Sequence, residues 1–204
     1  MSSIFDRYAP ASINHVVFAS APLAKVVHKI VARTQHVHLL LHGDPGTGKS
    51  KMAELLIAEM YPPHVQTSAY IFDGDDWSTD RTGEILGSIN ANMADDQALH
   101  FSVINEVDRL SSVEIGDVRR FMDKHASHKF ILTTNHAGKL PANFLNRCSA
   151  HQVDMEPATS VAGKVVQVFA DHQLAISHAY ALQIVGAAKG SWRTLEQLVH
   201  AQLP

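Results

Sequence analysis

The chain has 204 residues, 46% of them hydrophobic, and a formal net charge of −3. That content supports one substantial core with a small second unit, and the charge excludes a molecule whose overall field draws in nucleic acid, so any such contact must come from a local patch. One cysteine, Cys148, excludes an internal disulfide and fits a reducing, cytoplasmic setting. No apolar run reaches the length of a membrane span, and the leading Met-Ser-Ser-Ile-Phe-Asp-Arg has no apolar core of a signal peptide.

In chain order, residues 1–36 read as a leading segment followed by a helix, because Leu23, Val26, Val27, Ile30 and Val31 recur at helical spacing. Val37 to Leu41 is an apolar run of strand length. Residues 43–50 then read Gly-Asp-Pro-Gly-Thr-Gly-Lys-Ser, a complete G-x-x-x-x-G-K-[ST] phosphate loop. Gly43, Gly46 and Gly48 let backbone N–H groups turn inward around phosphates, with Asp44, Pro45 and Thr47 completing the loop. Lys49 supplies a cation for the β/γ-phosphates, and the Ser50 hydroxyl is suited to Mg²⁺. Met52, Leu55, Leu56 and Met60 continue as a helix whose N-terminal dipole favours the anion. The cofactors this predicts are ATP and Mg²⁺.

Tyr61-Pro62-Pro63 breaks that helix. A strand over Ala69 to Phe72 ends in the polar turn Asp73-Gly74-Asp75-Asp76. A helix is expected over 80–93, a loop at Asp95 and Asp96, a strand over His100 to Ile104 and a helix over Val113 to His125. Phe130 to Thr133 is a further strand, Leu140 to Asn146 a short helix with Pro141 in its first turn, and Val153 belongs to a final strand. Strands alternating with helices imply an α/β fold with a parallel sheet and crossovers. After Glu156-Pro157 the chain reads as helix only, with Ser177 and Ser191 as N-caps and Gly190 as a helix stop. The expected division is 1–156 for the α/β unit and 157–204 for a helical one. The 14 histidines are scattered, and His36-x-His38, at the start of a strand, is read as structural.

Two strand ends carry polar residues suited to a phosphate site. Ser102-Val103-Ile104 runs into Asn105 and Glu106. An acid at such an end sits near Mg²⁺, and an adjacent Glu acts as general base toward the attacking water. Asn105 brings an amide without charge, able to hold a metal-bound water, while Glu106 is the base. Ile131-Leu132-Thr133-Thr134 runs into Asn135. Carboxyl ends of neighbouring parallel strands share one crevice, which puts Asn135 beside Glu106 and Ser50, where it orients water or touches the γ-phosphate.

In this order the elements resemble an AAA+ ATPase, and in detail the small subunits of sliding-clamp loaders of the replication factor C type, including viral versions. Asp6-Arg7-Tyr8-Ala9-Pro10 is similar to the family's Lys-Tyr-Arg-Pro box, with Ala9 where the family has Arg. Asp73-Gly74-Asp75-Asp76 resembles its Asn-x-Ser-Asp turn, and Asn105-Glu106-Val107-Asp108 its Asp-Glu-Ala-Asp. Val118-Arg119-Arg120-Phe121-Met122-Asp123 resembles its Leu-Arg-Arg-x-Met-Glu helix, Asn146-Arg147-Cys148 its Ser-Arg-Cys, and Gly190-Ser191-Trp192-Arg193 its Gly-Asp-x-Arg. The resemblance implies a five-stranded parallel sheet with a helical lid, ATP hydrolysis at subunit interfaces, and a homo- or hetero-oligomer that acts on DNA or a DNA-associated protein in the cytoplasm, or the host cytoplasm for a viral version. It implies Asn135 as sensor 1, Arg193 as sensor 2 and Arg147 as an arginine finger reaching a neighbour's nucleotide. Arg81, Arg109 and Lys124 are the candidates for DNA-backbone contact, each also an ordinary surface charge. Asn105 departs from the family's aspartate, which bears on Mg²⁺ affinity and hydrolysis. The family's third, collar domain has no counterpart within these residues.

Two rival readings stand beside this one. The first is an ATP-binding adaptor or scaffold with little turnover, signalled by Asn105. The second, a small-molecule kinase, fits the Asn-Glu strand end and the lid arginine less well.

Overall fold

Leu39, Leu40 and Leu41 are all completely buried, yet they belong to two different cores. Successive side chains of a strand point to opposite faces, so a continuous apolar run means that both faces are covered. The computed structural model describes residues 3–61, 71–75, 83, 87 and 100–203. In it the strands β1 (His38–His42), β2 (Ile71–Asp73), β3 (His100–Asn105), β4 (His128–Thr134) and β5 (Cys148–Gln152) form one sheet in the order β2-β3-β4-β1-β5, every pairing parallel. This is the α/β architecture expected.

One face of the sheet, with Leu39, Leu41, Phe101, Val103 and Ile131, packs on helices α1 (Ala21–Val31) and α2 (Lys49–Met60). The other, with Leu40, Ile104, Phe130 and Leu132, packs on α3 (Ser112–Lys124) and the short α4 (Ala142–Leu145). Helix α3 starts where a capping box permits it. The Ser111 Oγ accepts from the Glu114 N–H at 3.3 Å, and a Glu114 carboxylate oxygen accepts from the Ser111 N–H at 2.7 Å.

A third core joins α5 (Ala158–Asp171), α6 (His178–Ala187) and α7 (Trp192–His200), and it takes in Phe5 and Met155. Both predicted caps form: Ser177 Oγ accepts from the Tyr180 N–H at 3.1 Å and Ser191 Oγ from the Thr194 N–H at 3.3 Å. Gly190, at φ +79, makes the turn between α6 and α7.

Two boundaries differ from the sequence reading. Pro141 is the N-cap of α4 rather than a first-turn residue, because Leu140 closes a 3₁₀ turn over Ala137–Lys139. The final strand is Cys148–Gln152, with Val153 just beyond it, although the Val153 N–H still donates to the His42 carbonyl at 2.7 Å. Cys-Ser-Ala-His-Gln carries no apolar run because β5 is an edge strand, with none of its residues buried. Residues 69 and 70 of the expected second strand, and the helix expected over 80–93 apart from helical Gly83 and Gly87, lie outside the described residues, as does Arg81. Among the described residues no helix is long and apolar enough to cross a membrane.

Candidate nucleotide site

The carboxyl ends of β1, β3 and β4 lie side by side, since β4 pairs with both of the others. A cavity of about 510 Å³ opens there, within the size range of small-molecule sites. The loop between β1 and α2 forms part of its wall, with Gly43, Gly46 and Gly48 at φ +143, +83 and +98. At Gly46 a side chain is excluded twice: by the backbone angle and because a Cβ would collide with the Ser191 hydroxyl. Gly48 in this left-handed conformation begins α2, so the loop's N–H groups lead directly into a helix N-terminus.

Lys49 is only 6% exposed. Its Nζ donates to the carbonyls of Gly43 at 2.9 Å and Asp44 at 2.7 Å, and contacts Thr47 Oγ1 at 3.5 Å. Burial lowers its pKa, and the charges of Asp44, Glu106 and Asp108 work in the opposite direction. The ammonium is thus held inside the loop by backbone dipoles. An anionic ligand would give it a better partner than two carbonyls do. Thr47 is buried with Lys49, whereas Asp44, Pro45 and Ser50 are exposed; Pro45, Gly46, Thr47, Gly48 and Ser50 all line the cavity.

Glu106 lines the same cavity and sits in the left-handed region at φ +51, ψ +47, a conformation non-glycine residues rarely adopt. Its N–H donates to Thr133 Oγ1 at 3.0 Å, and that hydroxyl donates to Asn105 Oδ1 at 3.1 Å. The Asn105 amide is therefore buried against Thr133, and Asn105 does not belong to the cavity lining. The Glu106 carboxylate is ion-paired with the Arg109 guanidinium, which also grips Asp75 beyond the end of β2. Gly74 lets that edge come close: its N–H donates to the Asn105 carbonyl at 2.8 Å, and a Cβ there would strike the Glu106 carbonyl.

Asn135 follows β4 into the cavity lining, half-buried. Thr134 fixes the turn beside it, donating to Asp108 at 2.6 Å and accepting from the His136 N–H at 2.9 Å. Arg193, in the first turn of α7, also lines the cavity, and its neighbour Trp192 donates its N–H to the Gly46 carbonyl at 2.9 Å. Arg147 does not join this group. It lies between α4 and β5, where its Nε and Nη2 donate to the two Asp123 oxygens at 2.6 and 2.8 Å and its Nη1 to the Asn143 carbonyl. The Arg147 hydrogen bond holds the Asp123 carboxyl below its usual range.

Lys49, Ser50, Glu106, Asn135 and Arg193 thus surround one cavity, while Asn105 is packed behind it and Arg147 stands elsewhere. Sequence reasoning missed Thr133, the hydroxyl linking Asn105 to Glu106. Its only signal was a polar residue at the end of an apolar run. Among the described residues no group of three or more His, Cys, Asp and Glu side chains could hold a metal. Mg²⁺ usually takes few protein ligands beside phosphate oxygens and water, and Ser50, which lines the cavity, is the residue that would hold it here. His36 and His38 do not pair: His36 contacts the Arg33 carbonyl at 2.9 Å, and buried His38 accepts from the Phe130 N–H at 3.0 Å.

The family model described as "ATPase family associated with various cellular activities (AAA)" matches residues 39–154. The chain belongs to this family. As an AAA ATPase it carries the phosphate loop and the strand ends described above within the matched region. Among curated proteins it is similar to replication factor C small subunit 1 of Pyrobaculum arsenaticum, 25% identical over 79% of this chain and 50% of that one. It is also similar to replication factor C subunit 3 of Saccharomyces cerevisiae, 21% identical over 92% of this chain and 56% of the relative. The chain therefore spans about half the length of these relatives. Among solved structures, the RuvB Holliday junction branch migration motor of Thermotoga maritima shares the fold, with a TM-score of 0.67 at 18% identity over 94% of this chain and 63% of that one.

Proposed function

We propose that the chain binds ATP·Mg²⁺ in this cavity and, in an oligomer of clamp-loader type, hydrolyses it to act on DNA or a DNA-associated protein during replication. The observation that carries the reading is the buried Lys49 ammonium, held by loop carbonyls between β1 and α2 with Glu106, Asn135 and Arg193 around the same space. Similarity to replication factor C subunits supports the replication context.

In this reading Lys49 and the N–H groups of 43–50 bind the phosphates, and Ser50 holds Mg²⁺, which neutralises phosphate charge when bound. Glu106 takes a proton from the attacking water, which Asn135 orients. Residues 157–204 act as a lid over the 1–156 unit and bring Arg193 to the γ-phosphate. Arg147 lies outside the lining of its own cavity and serves a neighbouring subunit's nucleotide, so the complete site needs two chains. Asn105 acts through Thr133 on the Glu106 backbone rather than as a metal ligand.

A second reading has its own observation. The Glu106 carboxylate is occupied by Arg109, as expected of an ATP-binding scaffold that barely turns over. Titration with a fluorescent ATP analogue tests the common part. Lys49→Ala should weaken binding at least tenfold, about 1.4 kcal/mol, and unchanged affinity refutes the site. Steady-state hydrolysis with and without primed DNA then separates motor from scaffold.

A further inference from the structure

In this reading a triphosphate lying along 43–50 would engage Lys49 and Ser50, with Glu106 and Asn135 left to the attacking water, but a nucleotide also carries a ribose and a base. Another part of the same cavity wall is a connected polar group from the chain's C-terminal quarter: Glu156, Lys164 and Trp192. Lys164 Nζ donates to Glu156 Oε1 at 2.6 Å and lies over the Trp192 ring, 5.2 Å from its centroid. Glu156 Oε2 accepts from Ser160 Oγ at 2.9 Å, and the Trp192 ring meets the edge of Phe5 at 5.5 Å. Both charged side chains are nearly buried, 20% and 10% exposed.

Taking two charges out of water is costly, and an apolar pair of the same volume would serve packing at least as well. An ammonium has three donors. Among the described residues, the hydrogen-bond partner seen for Lys164 is Glu156 alone, which leaves two N–H groups for a ligand in the cavity that it lines. Glu156 accepts from Ser160 and Lys164, which leaves lone pairs on a carboxylate that lines the same cavity. The result is a donor beside an acceptor, with the ammonium steadied by the indole ring.

The geometry points to Lys164 and Glu156 as the pair that reads the nucleotide base, selecting adenine through a ring nitrogen that accepts from Lys164 and the exocyclic amino group that donates to Glu156. Hypoxanthine in the same pose sets a carbonyl oxygen against the Glu156 carboxylate and is rejected. This rests on the reading that the cavity binds ATP.

Calorimetric titration of the full chain with the Mg²⁺ complexes of ATP, ITP and inorganic tripolyphosphate tests it. Wild type should prefer ATP to ITP by about tenfold or more, the worth of one charge-assisted hydrogen bond. Lys164→Met keeps the aliphatic stem, and it should bring that ratio towards one with tripolyphosphate affinity unchanged. Glu156→Gln should do the same. A wild type without preference between ATP and ITP overturns the assignment without any variant having to fold. So does an unaltered ratio in Lys164→Met, and so does a parallel loss of tripolyphosphate binding, which would make Lys164 a phosphate ligand. Lys49→Ala separates the two levels: if tripolyphosphate binding survives it intact, the phosphate-loop reading falls, whatever the base ratio shows.

Discussion

The Trp192 N–H donates to the Gly46 carbonyl at 2.9 Å, joining the first residue of α7 to the tip of the phosphate loop. A hydrogen bond between main chains leaves no side chain to adjust. Any movement of the loop around a ligand is felt at the start of the helix that carries Arg193.

Gly46 is the position at which that coupling is most exposed to mutation. Gly46→Ala forces a left-handed backbone, about 1–2 kcal/mol, and drives a methyl group into the Ser191 hydroxyl. ATP affinity should drop by tenfold or more and the melting temperature by several degrees. Retention of wild-type values in a titration and a thermal melt would show that loop and helix move independently.

Glu106 and Arg109 give opposite expectations. Glu106→Gln keeps shape and hydrogen bonding but removes the base, so hydrolysis should fall about 10²-fold with binding retained. Arg109→Ala frees the Glu106 carboxylate from its ion pair and should raise basal hydrolysis. A single-turnover assay measures both, and equal losses in the two variants would mean that Arg109 supports the carboxylate rather than withholding it.

Arg147 should work in trans. Arg147→Ala is expected to bind ATP normally and lose turnover, and mixing it with Lys49→Ala should recover part of the activity at interfaces pairing an intact loop with an intact arginine. Asp123→Ala, which unlocks the guanidinium fork, should lower turnover without altering affinity. No recovery in assemblies shown to be mixed would place Arg147 in its own subunit's chemistry.

Acid should destabilise the fold through two buried histidines. Burial, reinforced by Lys129, lowers His38 to about 4; burial, reinforced chiefly by His100, lowers His128 to about 3. Both lie below the unfolded value of about 6.5. Above that value neither state is protonated and stability is whole. As pH falls below it the unfolded chain takes up protons that the fold refuses, and stability is lost at up to about 1.4 kcal/mol per pH unit for each histidine until the folded pKa is reached. Among the described residues neither ring nitrogen of His128 meets a hydrogen-bond partner, so His128→Phe should stabilise by about 1–2 kcal/mol at neutral pH. It should also flatten the slope between pH 6.5 and 4. Urea melts across that range give the answer, and an unchanged slope would show that His128 does not titrate as described.

Local signals made much of this protein legible in its sequence. The phosphate loop needs eight consecutive residues, and the caps of α6 and α7 a serine each, because backbone geometry and hydrogen bonding over a few residues decide such features. The three leucines of β1 announced a strand buried on both faces. Edge strand β5 carried no such pattern, because none of its residues is buried. The juxtapositions were decided only in three dimensions. Thr133 stands between Asn105 and Glu106 because β3 and β4 pair in register, and Arg109 reaches Asp75 because β2 joins the sheet beside β3. Lys164 meets Glu156 and Trp192 through the packing of three helices. Sequence patterns record what each residue does to its neighbours along the chain. Which side chains satisfy one another's charges and hydrogen bonds across the fold depends on distances that the chain acquires when its hydrophobic faces are buried together.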